Sequence, residues 1–199
     1  QIILGVFMLI PVIIQLIYSE LDSGFVSASI ITIIFGVLFF LSNLDHDKKI
    51  DLPQAFILTA LSWLSIAIFG SLPFIFSELN LNFTDAFFES MSGITTTGST
   101  IITDLDNAPK GILLWRAILQ WLGGIGIILM AITLMPIMNI GGMQLFKISS
   151  NDNAEKILPN SKEVSLRLII IYSLLTLICA FFYKLFGMNY FDSLTHSMT

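Results

Sequence analysis

The sequence predicts an all-α integral membrane fold, in which a unit of span, half-helix, extended loop and span follows two additional N-terminal spans. The first supporting observation is composition. Of 199 residues, 55% are hydrophobic and only 12% charged, and mean hydropathy is +0.88. The second is a polar interruption. Residues 82–93 are too short and too polar to cross a bilayer, and they run into Thr95-Thr96-Thr97-Gly98-Ser99-Thr100 before a long apolar stretch resumes. The third is a partial repeat of that unit at residues 189–199.

The same composition excludes several classes. Apolar runs of about 18 residues or more read as membrane helices, so length arithmetic for soluble domains does not apply. A net charge of −5 leaves no basic face for nucleic acid. A lone cysteine, Cys179, permits no internal disulfide and reads as a small buried hydrophobe. The first apolar run is too long for a signal-peptide core and lacks a small-residue cleavage site, so it is kept as a span. The chain opens at Gln1 and stops within a segment that looks unfinished, and it is expected to be part of a longer protein.

Five spans are expected, in four segments of chain. Residues 1–52 form an N-terminal pair, with spans at 2–18, broken only by Pro11 and Gln15, and at 24–42. Residues 53–140 hold the first full unit. Pro53 suits the first turn of its opening span, 54–76, whose outer end is loosened by Gly70 and Pro73. Its closing span, 111–140, is long enough to tilt or to project beyond the bilayer. Residues 141–163 form a polar cytoplasmic linker, and 164–199 begin a second, truncated unit with a span at 164–186.

Within the first unit, Thr84 or Asn82 can cap the half-helix, and Asp85 then sits in its first turn, where a carboxylate complements the helix dipole. Residues 84–93 as helix reach about 15 Å, half the hydrocarbon thickness. Gly93 suits a left-handed stop, and Phe87, Phe88 and Met91 form a face to wedge against the flanking spans. Non-helical backbone at membrane depth requires protein or a watery cavity to satisfy it. Threonine resists helix and glycine permits unusual φ, so the hydroxyl run favours extended backbone with inward carbonyls at Thr95, Thr96, Thr97 and Gly98. Such carbonyls replace the hydration shell of a cation, and the negative end of the half-helix favours a cation beside them. The run therefore reads as a potassium-channel-like selectivity filter, with roughly four such loops needed to encircle an ion. An ordinary solvated turn is the alternative.

The repeat supports the filter. Asn82-Phe83-Thr84-Asp85-Ala86-Phe87 aligns with Asn189-Tyr190-Phe191-Asp192-Ser193-Leu194, and Glu89-Ser90-Met91-Ser92 with His196-Ser197-Met198-Thr199. Lys48, Lys49, Lys147, Lys156 and Lys162 place the 43–53 and 141–163 segments in the cytoplasm, against Lys110, Arg116 and Lys184 on the other side. The outer side collects Glu20, Asp22, Glu78, Asp85, Glu89, Asp104, Asp106 and Asp192. These form either an acidic vestibule that concentrates cations or a set of solvated loop carboxylates.

Other features have plainer readings. Gly123, Gly124 and Gly126 lie mid-span, where small residues let helices pack closely. Arg116 is either an outer-interface anchor or a partner for the shell supporting the filter. His46, between Asp45 and Asp47, reads as part of a solvated face, and His196 as a packed polar group of the second half-helix. Asn82-Phe83-Thr84 fits a glycosylation sequon, but helix capping explains it better. No nucleophile–base pair or metal cluster falls within a span, so an intramembrane enzyme is not expected.

Five blocks, Leu72-Pro73-Phe74-Ile75-Phe76-Ser77-Glu78, Thr84-Asp85-Ala86-Phe87-Phe88-Glu89-Ser90, Thr95-Thr96-Thr97-Gly98, residues 115–126 and Gly141-Gly142-Met143-Gln144-Leu145, occur in an order that resembles the TrkH/TrkG branch of the Trk/Ktr/HKT potassium transporter superfamily. The resemblance implies four span–half-helix–filter–span repeats around one pore, in the bacterial cytoplasmic (inner) membrane, and a homodimer. It also implies a TrkA-type cytoplasmic nucleotide-binding regulatory subunit. Potassium would be the transported ion, with no cofactor, held at Thr96 and Thr97 with Gly98. Thr95, Ser99 and Thr100 would flank it, and Asp85, Glu89 and Arg116 would support the pore helix. A glycine at the key position goes with potassium in related transporters. The alternatives are a sodium-permeable relative, or a secondary transporter built on discontinuous helices whose half-helix ends meet an anionic substrate.

Overall fold

The computed structural model describes residues 1–20, 22–42, 52–105, 107–138 and 161–199, and these are all-α, without strands. Their helices are α1 (Ile2–Phe7), α2 (Leu9–Tyr18), α3 (Gly24–Ser42), α4 (Leu52–Gly70), α5 (Leu72–Phe76), α6 (Phe83–Ile94), α7 (Lys110–Met138), α8 (Ser161–Leu185) and α9 (Tyr190–Met198). Among the described residues, four stretches are long and apolar enough to cross a membrane: Gly24–Ser42, Pro53–Phe76, Lys110–Ala131 and Glu163–Leu185. The protein is an integral membrane protein. The expected first span, 2–18, is a shorter apolar stretch, divided at Met8. Pro11 explains the division, because it offers no N–H to the Phe7 carbonyl and its ring crowds that group. The helix of the second unit opens at Ser161, earlier than the expected 164. Lys48, Lys49, His46, Asp106, Lys147, Lys156 and the 141–160 part of the linker lie outside the described residues.

The described chain divides into two compact units, Gln1–Trp121 with Met198–Thr199, and Leu122–Ser197. In the first, α1 packs on α3, α3 on α5, and α4 on α6. Small residues bring the backbones together, as membrane helices without a hydrophobic drive between them require. The Ser29 hydroxyl donates to the Gly5 carbonyl at 2.7 Å. A Cβ on Gly24 would stand 2.5 Å from the Phe76 carbonyl oxygen, so no side chain fits between α3 and the end of α5. Trp115, Phe25, Phe74, Met8 and Ile112 fill the core, with Phe25 edge-on to Trp115 at 6.4 Å.

The break between α4 and α5 follows from Pro73 in the first turn of α5. The broken ladder frees the Gly70 carbonyl, which accepts from the Trp115 indole N–H at 2.9 Å. In the second unit, Gly124 lies where a Cβ would stand 2.5 Å from the Tyr172 hydroxyl, so the glycine-rich stretch of α7 receives α8 at close range. Cys179 is half-buried rather than buried, because α8 is apolar all round and only 6% of its hydrophobic window is covered.

Candidate functional site

The half-helix α6 starts as a reciprocal cap. The Asn82 side-chain oxygen accepts the Asp85 N–H at 2.9 Å, and the Asn82 amide donates back to the Asp85 carboxylate at 2.7 Å. Asn82, not Thr84, is therefore the cap, and Asp85 also supplies the first-turn negative charge. The same pair recurs at α9, where Asp192 N–H donates to Asn189 at 2.8 Å and the Asn189 amide reaches Asp192 at 2.5 Å. His196, one turn further along, is exposed rather than packed, with Nδ1 2.9 Å from the Asp192 carbonyl oxygen.

The buried face of α6 is mostly small or polar: Ala86, Glu89, Ser90, Ser92 and Gly93, with Ile94 at its end. The aromatic wedge expected from Phe87, Phe88 and Met91 is not the packed face, and Phe88 is 44% exposed. Large apolar side chains gain little by leaving lipid, whereas small ones allow close backbone approach. Thus Ser90 meets Gly70 of α4, and Gly93 packs against Leu119 of α7.

Gly93 is accordingly helical and does not stop α6. The stop is a Schellman arrangement two residues beyond the helix end. Thr96 N–H donates to the Gly93 carbonyl at 2.9 Å and Thr97 N–H to the Ser92 carbonyl at 3.0 Å. Gly98 N–H reaches the same Ser92 oxygen at 3.3 Å. The left-handed residue is Thr96, with φ of 58°. Glycine usually occupies that place, and a β-branched residue there is strained. Gly98 follows at φ of 76°, so both predicted ion-binding positions around Thr97 take left-handed backbone rather than a fully extended one.

This turn leaves four consecutive carbonyls unused. Those of Thr95, Thr96, Thr97 and Gly98 accept no hydrogen bond among the described residues, and all four residues are exposed. The Thr95 and Thr97 hydroxyls lie 2.8 Å apart. The chain then runs back along α6, pinned at three points. The Ser92 hydroxyl donates to the Ser99 carbonyl at 2.6 Å. One Glu89 oxygen accepts from the Thr100 hydroxyl at 2.5 Å and from Ile101 N–H at 2.6 Å.

The other Glu89 oxygen pairs with Arg116 Nε of α7 at 2.9 Å. Glu89 is 1% exposed and the Arg116 side chain 14%. Arg116 is thus not an outer-interface anchor, and Glu89 is not a vestibule carboxylate. Two further acidic residues are committed to structure. Glu20 accepts the Lys110 N–H that opens α7 at 2.8 Å, and Asp22 accepts the N–H groups of Gly24 and Glu78. An unpaired backbone donor at a helix start attracts a carboxylate, which is the reason for both. One turn beyond Arg116, the Gln120 amide nitrogen lies 3.4 Å from where a Cβ on Gly98 would stand.

The structure therefore gathers Thr95 to Thr100 with Glu89 and Arg116, and leaves Asp85 at the far end of α6. Ser92 went unnoticed in the sequence. Its signal was spacing, since it sits three residues after Glu89 on the same helix face.

Residues 22–199 match the TrkH family, described as a cation transport protein. The chain is 39% identical over 198 residues to the Trk system potassium uptake protein TrkI of Halomonas elongata, covering 99% of this chain and 40% of that protein. It is 39% identical to the Trk system potassium uptake protein TrkH of Escherichia coli, over 96% of this chain and 40% of that protein. It superposes on the crystal structure of the potassium transporter TrkH from Vibrio parahaemolyticus with a TM-score of 0.86 and 35% identity, over 99% of this chain and 40% of the other. The chain thus spans about 40% of the length of the relatives it matches. On the family match and these likenesses together, the chain belongs to the TrkH family of cation transport proteins.

Proposed function

We propose that this chain supplies the first quarter of a potassium-selective pore for uptake across the bacterial cytoplasmic membrane. The observation that carries this is the row of four carbonyls on exposed residues, Thr95 to Gly98, which accept no hydrogen bond among the described residues and lie at the negative end of a half-helix. Free carbonyl oxygens replace hydration water around a cation, and the helix C-terminus adds favourable potential at the same point. The carbonyls of Thr96 and Thr97, with Gly98, hold potassium in this reading, while Thr95, Ser99 and Thr100 flank them. Glu89, paired with Arg116, holds the returning segment, and Asp85 secures the outer start of the pore helix. Potassium is the cargo because the relatives named above are potassium uptake proteins. The assembled protein would be a homodimer gated by a TrkA-type cytoplasmic nucleotide-binding subunit.

Potassium and rubidium uptake by the full-length protein, in potassium-starved cells lacking other uptake systems, tests this. Native protein is expected to restore growth at low potassium. Gly98→Ser is expected to lose preference for potassium over sodium, because a side chain at φ of 76° is strained and shifts the backbone that carries the carbonyls. Native and serine proteins that transport alike would reduce the hydroxyl run to an ordinary turn.

A further inference from the structure

We infer that Ser92 is a specificity-determining positioning residue, whose hydroxyl fixes the far end of the cation-binding loop. The inference rests on the pore reading above and assigns a new residue to it. Ser92 is 6% exposed on the last turn of α6 and touches the loop at both ends. Its carbonyl accepts from the amides of Thr97 and Gly98, and its hydroxyl donates to the carbonyl of Ser99. Two of the four unused carbonyls, those of Thr97 and Gly98, lie between these attachments, and neither accepts a hydrogen bond among the described residues. The span of that bridge therefore sets the spacing of the carbonyls.

The two attachments differ in kind. The carbonyl bonds belong to the backbone and survive any side chain, but the bond to Ser99 depends on the hydroxyl alone. Without it, the Ser99 carbonyl is released while Thr96 keeps its strained left-handed backbone. The Ser99 peptide is then free to shift between Thr96 and the Glu89 ties at Thr100 and Ile101, and the Thr97 and Gly98 carbonyls lose their fixed positions. Glu89 cannot compensate, because its bonds begin one residue later, at Thr100. The aligned residue of the second unit is Thr199, which also carries a hydroxyl.

The test compares Ser92→Thr, Ser92→Val and Ser92→Ala in the full-length protein. Thr and Val share a shape and differ in the donor. Three quantities are read: the half-saturating potassium concentration, the potassium-to-sodium preference, and membrane abundance with detergent melting temperature. Ser92→Thr is expected to match native protein. Ser92→Val and Ser92→Ala are expected to remain folded yet raise half-saturation and lower preference by about three- to ten-fold, the range of one hydrogen bond's net worth. Equal behaviour of Thr and Val overturns the inference, as does a parallel loss of abundance and melting temperature that accounts for the whole change in uptake. Failure of native protein to prefer potassium would instead remove the pore reading beneath it.

Discussion

Glu89 accepts three hydrogen bonds on two buried oxygens, from Thr100, Ile101 and Arg116, and so ties α6, the returning strand and α7 together. A buried ion pair gives little over a well-packed apolar substitute, but breaking one side leaves an uncompensated charge and costs about 3–5 kcal/mol. Glu89→Ala and Arg116→Ala are each expected to lower the melting temperature of the full-length protein in detergent sharply. The double variant should lose at least about 1 kcal/mol less than the sum of the singles, as interacting pairs do. Strict additivity in that cycle would mean the pair carries no coupling. The identity of this tie was only partly legible in the sequence. Glu89 and Arg116 are 27 residues apart, and nothing in residue type separates a buried carboxylate from a solvated one. Counting outer acids therefore leaves Glu89 either in a vestibule or on a solvated loop, alongside Glu20 and Asp22, which serve helix starts, and only the family resemblance points to its role in supporting the pore helix.

At the scale of elements, the ends of helices were easier to read than their faces. Pro11, Pro73 and the Asn82-to-Asp85 spacing act through local backbone chemistry, and each acts where the sequence puts it. The faces depend on which neighbour is lipid and which is protein, and periodicity alone does not distinguish them. The aromatic face of α6 was assigned inward for that reason, whereas the contact is made by Ser90 and Gly93. The α4–α6 contact yields a paired prediction. A Cβ on Gly70 would stand 2.5 Å from the Ser90 hydroxyl oxygen, and that oxygen is buried with no hydrogen-bond partner among the described residues. Ser90→Ala should be neutral or slightly stabilising, because it removes an unsatisfied polar atom. Gly70→Ala should destabilise by about 1–3 kcal/mol through overpacking. The two together should melt above Gly70→Ala alone, since the alanine methyl then faces Leu119 at 3.3 Å instead of the hydroxyl. A double variant no better than Gly70→Ala would place the clash elsewhere.

For the whole molecule, orientation decides whether the free carbonyls meet ions arriving from outside. Several contacts in the first unit gather at one end: Glu20 with the start of α7, and Asp22 with the starts of α3 and of the stretch after α5. That end leads through Glu78 into Asn82, the cap of α6, so the half-helix runs inward from it. Lysines collect in the segments at the other ends of these spans, at Lys48 and Lys49, and such segments stay in the cytoplasm. In the proposed pore the start of α6 is therefore outside and its negative end at membrane depth, facing a cation that enters from the external solution. Single cysteines in a cysteine-free background of the full-length protein, with Cys179 and any further cysteine replaced by serine, test this with an impermeant maleimide on intact cells. Glu78→Cys is expected to label at once, and Lys49→Cys only after the membrane is opened. Labelling of Lys49→Cys on intact cells would invert the spans. The carbonyl row would then open toward the cytoplasm, and the loop could not be the outer mouth of an uptake pore whatever its geometry.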